Sequence, residues 1–386
     1  ASSQLPSNKN RSFLVHSLVS ALGILSSVTS DGRKRFTALR PRRASAKELL
    51  AYHTRDYLEY ALNPSSDHED QSQTTEFGLE DDCPPFHNMH EYMQLVAGAT
   101  LTAVDVIKEN MADVAICWDG GRHHAQKARA SGFCYVADCI LAILSLKRAL
   151  PSTAPARKPR VMYLDLDLHF SDAVSQAFHN ASSTTSQVLT FSIHHISPGF
   201  FPVSCLSTLP DTDDPGFDPF TLSLPLKSGA SNRTFARIWP IVEGVRDLFE
   251  PDFVIIQCGV DGLAGDPMAT WNWCLDGLGS LGWYVGEIAD HWPGKKLFLG
   301  GGGYNSPNAA RAWAYLTSVV GGNPLPLDTQ IPDHRAFPLY QPSFTLDVPA
   351  GNMRDQNSED YLRLVESCYE RVRTTLHGRL SSKDER

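Results

Sequence analysis

The sequence lacks the features of a disulfide-rich protein, a membrane-spanning protein or a nucleic-acid-binding protein. None of its eight cysteines forms a Cys-x-x-Cys pair, which argues against a disulfide framework and a cysteine-based zinc finger. No segment is apolar for long enough to cross a bilayer. Acidic residues outnumber basic residues by 43 to 34, and this excess excludes a general binder of nucleic acid or anionic membranes.

What the sequence contains is typical of a globular enzyme. Its 386 residues are 42% hydrophobic, and the fourteen histidines direct attention to metal or proton chemistry. An apolar run, 13–25, follows two basic residues and is similar to a secretory signal peptide. Its leucines have helical spacing, however, so we expect an amphipathic core helix there.

Apolar, β-rich runs alternate with helical runs along most of the chain. This alternation predicts a mostly parallel sheet covered by helices on both faces. The predicted strands are 113–117, 160–168, 187–194, 253–259 and 296–300. The predicted helices are 45–62, 89–112, 133–149, 172–179, 232–249, 278–290 and 307–320. We expect an acidic loop at 63–85 and a frayed, charged tail at 377–386.

Acidic and histidine side chains follow two of these strands. Asp165, Asp167 and His169 alternate with leucines, so on a strand they would share one face. Buried carboxylates are costly unless a cation or another partner neutralises them. Asp261 follows a second apolar strand and could be a third ligand, which predicts an open, catalytic metal site. Helix capping is the simpler explanation for Asp172, and an ordinary turn for Asp261 alone.

Two further loops carry residues suited to catalysis. His123 and His124 follow a glycine pair, and one could serve as a base while the other stays charged, each oriented by an aspartate. Surface histidines are the commoner explanation of such a pair. The glycine run 300–303 allows close backbone approach and ends in Tyr304, which suggests a hydroxyl aimed into a site. Phe133 and Phe201 are candidate walls of an apolar slot, although packing alone could explain them.

Six motifs, taken in chain order, resemble the class I zinc-dependent histone deacetylases. They are Gly120-Gly121-Arg122-His123-His124-Ala125, Ser131-Gly132-Phe133-Cys134-Tyr135, Asp165-Leu166-Asp167-Leu168-His169, Ser197-Pro198-Gly199-Phe200-Phe201-Pro202, Asp261-Gly262-Leu263-Ala264-Gly265-Asp266-Pro267-Met268 and Gly300-Gly301-Gly302-Gly303-Tyr304-Asn305. The resemblance extends from about Arg11 to Ile331. It implies the arginase/deacetylase fold, a three-layer α/β/α domain around a mostly parallel, eight-stranded sheet, and we expect one catalytic domain at 1–376.

The resemblance also implies a role for each site residue. The zinc ligands would be Asp167, His169 and Asp261, and iron or cobalt would suit the same ligands. The remaining catalytic residues would be His124 as general base and acid, oriented by Asp172, then His123 paired with Asp165, and Tyr304 at the oxyanion. The acyl-lysine tunnel would consist of Gly132, Phe133, Phe201 and Met268, with Asp82 holding the substrate backbone at the rim. A structural potassium ion would be held by Asp165, Asp167, His169, Ser192 and Ile193. Arg11 would line an internal acetate channel.

The implied function is removal of acetyl groups from lysines of histones or other proteins, in transcriptional repression. We expect a nuclear protein, with the cytoplasm as a second location and corepressor subunits as partners, and without direct nucleic-acid or membrane binding. A small-molecule acetyl-amide hydrolase, such as an acetylpolyamine hydrolase, and a degenerate corepressor scaffold stay open as alternatives.

Three features depart from the family pattern. Phe170-Ser171 stands where His-Gly is usual, and Arg122 stands where an apolar residue is usual. The sequence begins at the first helix without the family's opening strand, so an edge of the sheet is expected to differ.

Overall fold

The computed structural model contains one sheet of six strands, all parallel. It describes residues 2–28, 32, 34–63, 71–148, 157–180, 187–268 and 270–381. The strands are β1 (Val114–Cys117), β2 (Val161–Asp165), β3 (Val188–His195), β4 (Thr221–Leu226), β5 (Phe253–Gln257) and β6 (Lys295–Leu299). Their order across the sheet is β1-β6-β5-β2-β3-β4, so β2 and β5 lie side by side at its centre.

Helices cover both faces of this sheet, which confirms the predicted three-layer α/β/α architecture. They are α1 (Arg11–Ala21), α2 (Ala46–Leu49), α3 (Arg55–Ala61), α4 (Gln71–Glu76), α5 (Met89–Lys108), α6 (Asp138–Leu146), α7 (Asp172–Phe178), α8 (Asn232–Phe249), α9 (Leu281–His291), α10 (Ser306–Val320) and α11 (Glu359–Ser381). Alternate residues of β2 belong to different hydrophobic cores, one on each face of the sheet. Met162 and Leu164 pack with α1 and α8–α11, whereas Val161 and Tyr163 pack with α5–α7.

The expected number of eight strands is wrong for the described chain, which forms six. After β6 the chain meets six prolines between 324 and 349, and each lacks the N–H that a ladder needs. That region makes only an isolated antiparallel bridge, Gln330 to Thr345, apart from the sheet. The sheet therefore gains no further strand there.

Two predicted elements need correction, and one strand was missed. β2 ends at Asp165 rather than at 168, because the Asp165 carboxylate accepts the backbone N–H of Asp167 at 3.0 Å and draws the chain out of the ladder. The helix predicted over 45–62 is two helices, α2 and α3, separated where the Thr54 N–H donates to the Lys127 carbonyl. β4 was not predicted. It contains Pro225, which has no N–H for a ladder, and it is an edge strand, where proline is tolerated.

The apolar run near the start of the chain is helix α1, as predicted. Four of its apolar side chains, Leu14, Val15, Leu18 and Val19, are buried. In the described residues no helix combines the length and apolarity needed to span a membrane. Asp67, Glu69 and Asp70 of the predicted acidic loop lie outside the described residues. α11 continues to Ser381, past the start predicted for the frayed tail.

Candidate metal centre and active site

The three predicted metal ligands come from two loops at the same edge of the sheet. β2 and β5 are parallel neighbours in which Asp165 pairs with Gln257, so the loops that follow them begin side by side. Asp167 and His169 lie in the first loop and Asp261 in the second. Their candidate ligand atoms all lie within 4.8 Å of one another, and all three residues are buried. Strand connectivity thus brings together residues 92 positions apart.

Hydrogen bonds hold the triad in place. Nδ1 of His169 lies 2.9 Å from Oδ2 of Asp261 and 3.3 Å from Oδ1 of Asp167. The other oxygen of Asp167 accepts from the Gln257 side chain at 2.9 Å and from the Gly302 N–H at 2.8 Å. Gln257, which sequence reasoning missed, ends β5 and is fully buried, and its polar side chain at the end of an apolar strand was the available signal.

The charges of the triad fit a divalent cation. Burial, followed by the negative charge of Asp167, raises the pKa of Asp261 to about 7. Burial opposes ionisation of His169, yet hydrogen bonds to both carboxylates raise its pKa to about 10. Two carboxylates in one buried site repel each other, and a cation removes that repulsion. Two carboxylates and one imidazole suit zinc and also iron or cobalt, and they leave a coordination position open.

His123 lies beside the triad and is set up to carry a positive charge. Its Nδ1 donates to Oδ2 of Asp165 at 2.8 Å, and its Nε2 lies 3.8 Å from Oδ1 of Asp167. Burial alone would lower the pKa of His123, but the charges of Asp165 and Asp167 outweigh it and raise the pKa to about 9. Tyr163, a second residue that sequence reasoning missed, donates its hydroxyl to the same oxygen of Asp165 at 2.5 Å.

The surroundings of His124, in contrast, favour its neutral form. Its Nδ1 donates to Oδ1 of Asp172 at 2.7 Å, while Gln126 donates to the other oxygen at 2.9 Å. Burial, followed by the positive charge of His123, lowers the pKa of His124 below its ordinary value. The two imidazole rings lie 4.0 Å apart. With Nδ1 engaged, Nε2 of His124 is the atom available to move a proton.

Tyr304 ends the glycine run after β6 and lies near the triad. Burial, followed by the charges of Asp261 and Asp167, raises its pKa well above the ordinary value, so its hydroxyl keeps its proton. Asp266 fixes this residue by accepting the Tyr304 N–H at 2.6 Å and the Asn305 N–H at 3.0 Å. We did not single out Asp266 from the sequence. It belongs to the Asp261–Met268 motif, which was its only signal.

Aromatic side chains surround the histidines and Tyr304. The Phe133 ring lies 5.4 Å from the Tyr304 ring, and the Phe201 ring 4.9 Å from the His124 ring. Phe201 is 42% exposed and Met268 is 40% exposed, so both side chains lie where the site meets solvent. These positions suit a slot that runs from the surface to the triad.

Gly132 and Asp82 are linked at this slot. The Gly132 N–H donates to Oδ2 of Asp82 at 2.7 Å. A Cβ on Gly132 would lie 2.5 Å from the His124 ring, so only glycine fits there. Asp82 is exposed. In this structure its carboxylate therefore holds the loop beside His124 and keeps one oxygen for another donor.

The predicted potassium ligands also lie together. β2 and β3 are neighbours in which Asp165 pairs with Ser192, and Ile193 follows directly. All five residues of that predicted set are buried. Backbone carbonyls and carboxylates of this kind suit a hard cation.

The departure at Phe170-Ser171 leaves the nearby contacts intact. Phe170 is buried and lies 4.8 Å from the His194 ring, while Asp172 still reaches His124. The buried Ser171 hydroxyl has no hydrogen-bond partner among the described residues. The contact between Asp172 and His124 is therefore present although Phe170-Ser171 departs from the family pattern.

The fold and the site define a metal-dependent hydrolase of the α/β class, because a buried acid–imidazole triad lies beside a neutral histidine and a protonated tyrosine. A sequence model of the histone deacetylase domain matches residues 5–320. Histone deacetylase 8 of Xenopus tropicalis is 38% identical over 360 residues, which cover 92% of this chain and 89% of the relative.

Two other relatives agree. Histone deacetylase 8 of Danio rerio is 37% identical over 97% of this chain and 90% of its own. Human histone deacetylase 1 is 31% identical over 97% of this chain and 72% of its own. The chain belongs to the histone deacetylase family and is a hydrolytic deacetylase.

Proposed function

We propose that the protein hydrolyses the acetyl amide of N-ε-acetyl-lysine in histones or other proteins, with zinc as its metal, and acts in transcriptional repression. The observation that carries this proposal is the buried Asp167–His169–Asp261 triad flanked by two histidine–carboxylate pairs of opposite character. A metal ion held by the triad would supply Lewis-acid polarisation of the amide carbonyl and a lower pKa for water.

The neighbouring side chains supply the proton chemistry. His124, neutral and oriented by Asp172, removes a proton from the attacking water. Tyr304 donates its hydroxyl to the oxyanion that forms on the acetyl carbonyl. His124 then returns the proton to the lysine amine as the C–N bond breaks. His123 stays positively charged beside Asp165 and stabilises negative charge in the site.

The slot suits the substrate. Phe133, Phe201 and Met268 offer apolar walls for the four methylenes of lysine. A neutral acetamide enters such a slot at less cost than an ammonium group. Asp82, which is exposed at this slot, is suited to accept backbone N–H groups of a bound peptide.

Further assignments belong to the same proposal. Asp165, Asp167, His169, Ser192 and Ile193 would hold potassium, an assignment supported by the pairing of β2 with β3. Residues 1–376 would form a single catalytic domain. We also propose a nuclear location, with the cytoplasm as a second one, and corepressor subunits as partners.

The test is deacetylation of an acetyl-lysine histone peptide, with and without a chelator, beside an acetylated polyamine. We expect chelator-sensitive turnover of the peptide and little turnover of the polyamine. Faster turnover of the polyamine would identify a small-molecule hydrolase. Absence of turnover in the metal-loaded protein would favour a scaffold. The names of the relatives favour neither alternative.

A further inference from the structure

A cavity lies beside the active-site slot and has no part in the proposed mechanism. Its volume is about 550 Å³. Its walls come mainly from the loops that follow three neighbouring strands, β2, β3 and β4. The carboxyl ends of parallel strands are where open α/β sheets place their ligand sites, and a volume of this size suits a small organic molecule.

Aromatic and aliphatic side chains make up much of the cavity wall. Phe170 and Phe200 contribute rings, and Ile196, Pro198 and Pro202 contribute aliphatic surface. Phe170 is one of the two residues that replace the usual His-Gly of the family, so this departure lies in the cavity wall. Rings pack favourably against other rings, and the wall therefore favours a ligand with an aromatic body.

His195 presents a hydrogen-bond acceptor to the cavity. This last residue of β3 lines the cavity and is only 3% exposed. Its Nδ1 donates to the Leu226 carbonyl at 3.1 Å, while its Nε2 forms no hydrogen bond with any residue that the structure describes. A carbonyl only accepts, so Nδ1 carries a proton, and in the neutral ring Nε2 is an acceptor. A buried side chain with an unpaired polar atom indicates a missing partner, which a hydroxyl group would supply.

Lys227 places a positive charge at the same cavity. It is exposed, and its Nζ lies 4.4 Å from the centroid of the Tyr361 ring. The ammonium forms no ion pair with a carboxylate in the part of the chain that the structure describes. Ser228 and Gln356, which also line the cavity, add a hydroxyl and an amide. A carboxylate accepts from all three kinds of group, so the charge at this end favours an anion.

Phe200 connects the cavity to the metal site. Its ring stacks on the ring of His169, with centroids 5.1 Å apart and an angle of 11° between the planes. The same ring lies edge-on to His195, with centroids 4.7 Å apart. The next residue, Phe201, is a wall of the slot. A ligand against Phe200 would therefore restrain the loop that forms one side of the slot.

We propose that this cavity binds an aromatic acid with a hydroxyl group on its ring, the hydroxyl donating to His195 and the carboxylate lying at Lys227. The bound acid slows turnover from outside the slot, because loop movements that admit substrate and release product often limit the rate. The effect on turnover rests on the proposed deacetylase function, whereas binding does not.

The experiment compares three probes that differ by one group. These are para-coumarate, cinnamate, which lacks the hydroxyl, and para-coumaramide, which lacks the charge. Calorimetry on the metal-loaded protein measures the affinity for each probe, and steady-state kinetics on an acetyl-lysine peptide measure its effect on turnover. We expect cinnamate and para-coumaramide to bind about threefold to tenfold more weakly than para-coumarate. Para-coumarate should lower kcat and leave KM unchanged.

Two variants assign each group of the ligand to its partner. His195→Leu should weaken para-coumarate by about threefold to tenfold and leave cinnamate unchanged, since cinnamate has no hydroxyl to lose. Lys227→Gln should weaken both acids and leave para-coumaramide unchanged. Lys47→Gln, at another exposed lysine, is the matched control and should change none of the three affinities. Lys227 is exposed, so its variant keeps the test decisive even if His195→Leu does not fold.

The outcomes separate the cavity from the active site. If no peptide is hydrolysed but the variants change affinity in the expected pattern, the proposed function fails and the cavity site stands. Binding in that pattern without a change in kcat supports the site and rejects its effect on turnover. A rise in KM alone would place the acid in the slot and overturn the proposal. Failure of para-coumarate to bind, or equal affinities in the parent protein and both variants, would also overturn it.

Discussion

His123 and His124 are neighbours in the sequence, both are buried, and each donates to a carboxylate, yet their pKa values move in opposite directions. Burial lowers the pKa of both. For His123 the charges of Asp165 and Asp167 prevail and raise the pKa to about 9. His124 has only Asp172 close by, and the charge of His123 adds to burial, so its pKa falls. The number of charges around each ring therefore decides its role.

His53 extends the comparison to a ring without a carboxylate partner. Its Nε2 accepts the Ala137 N–H at 3.0 Å, so its Nδ1 donates to the Lys127 carbonyl at 3.2 Å. Burial lowers its pKa to about 4. A buried histidine thus stays neutral when it bonds to backbone and becomes charged only where carboxylates outnumber cations.

The largest effect is expected from a change in the triad, which both histidine rings face. Asp261→Asn removes one of the two carboxylates proposed to hold the metal, so the protein should bind a divalent ion much more weakly and lose peptide turnover. Metal analysis after dialysis, with activity measured in parallel, checks this. Asp290→Asn, at an exposed position, is the control. Retention of the full metal content by Asp261→Asn would reject the ligand assignment.

The variant Tyr304→Phe removes an uncharged hydrogen-bond donor and leaves both histidines in place. It therefore tests oxyanion stabilisation separately from proton transfer. We expect kcat to fall by about 10²–10³-fold with a much smaller change in KM. Steady-state kinetics on an acetyl-lysine peptide measure this. Tyr361→Phe, which loses a hydrogen bond to the Pro225 carbonyl far from the triad, is the matched control. An unchanged kcat with a raised KM would instead assign Tyr304 to binding.

His53 is the buried histidine without a carboxylate partner, and the pH dependence of stability tests whether it stays neutral. Its folded-state pKa lies below the unfolded value, so the unfolded chain binds more protons between about pH 6.5 and pH 4. The free energy of unfolding should therefore fall as the pH drops through that window, with about 3 kcal/mol attributable to this residue. Denaturant unfolding at several pH values measures the fall.

The variant His53→Gln keeps polar atoms that can bond to the backbone but cannot titrate. Its free energy of unfolding should fall less between pH 7 and pH 4 than that of the parent protein. His377→Gln, at an exposed position of α11, should keep the full dependence. Identical slopes for His53→Gln and the parent protein would mean that His53 does not stay neutral in the folded state.

The sequence allowed prediction of the fold class because apolar strands and helices alternate with the correct periods. It also allowed prediction of the residues at the strand ends, since Asp165, Asp167 and Asp261 are conspicuous beside apolar runs. The exact end of β2 could not be predicted. It depends on a hydrogen bond from the Asp167 N–H to the Asp165 carboxylate, and strand periodicity alone continues past that point.

Residues that position the catalytic groups were harder to predict. Gln257, at the end of β5, contacts Asp167, and Asp266, in the loop after β5, contacts Tyr304. Their signals in the sequence were weak: a polar residue ends an apolar strand, and an aspartate belongs to a longer motif. The opposite pKa shifts of His123 and His124 arise from distances between separate strands and loops. Such distances follow from the register of the sheet, which a single sequence does not specify.

Substitutions at Phe170 and Ser171, which lie between His169 of the triad and Asp172, should have a smaller effect. Phe170→His with Ser171→Gly restores the usual family residues, and Asp172 already reaches His124 at 2.7 Å without them. We expect kcat/KM to change by less than about tenfold, or 1.4 kcal/mol. Steady-state kinetics with a thermal melt check this. A gain of several orders of magnitude would mean that the natural site is impaired and would favour the scaffold function.

The smallest effect is expected for exposed charges, which water and salt screen, in contrast to the buried charges around His123. No lysine or arginine occurs from Asp56 to Ile107, whereas Glu80, Asp81 and Asp82 cluster next to the slot. Histone tails are strongly basic, and an acidic rim should raise their encounter rate over a screening length of about 10 Å at 0.1 M salt. We expect kcat/KM for a basic acetylated tail to fall with salt, while that for a short neutral substrate barely changes.

Charge-neutralising variants test whether the rim causes this dependence. Glu80→Gln with Asp81→Asn should flatten the salt curve of the basic tail. Glu109→Gln with Asp290→Asn should not, because those residues precede β1 and β6 and lie toward the opposite edge of the sheet. Asp82→Ala should weaken both substrates, since its carboxylate holds the Gly132 loop whatever the charge of the peptide. Parallel salt curves for the two substrates would reject steering, and the acidic rim would then serve only to keep the loop solvated.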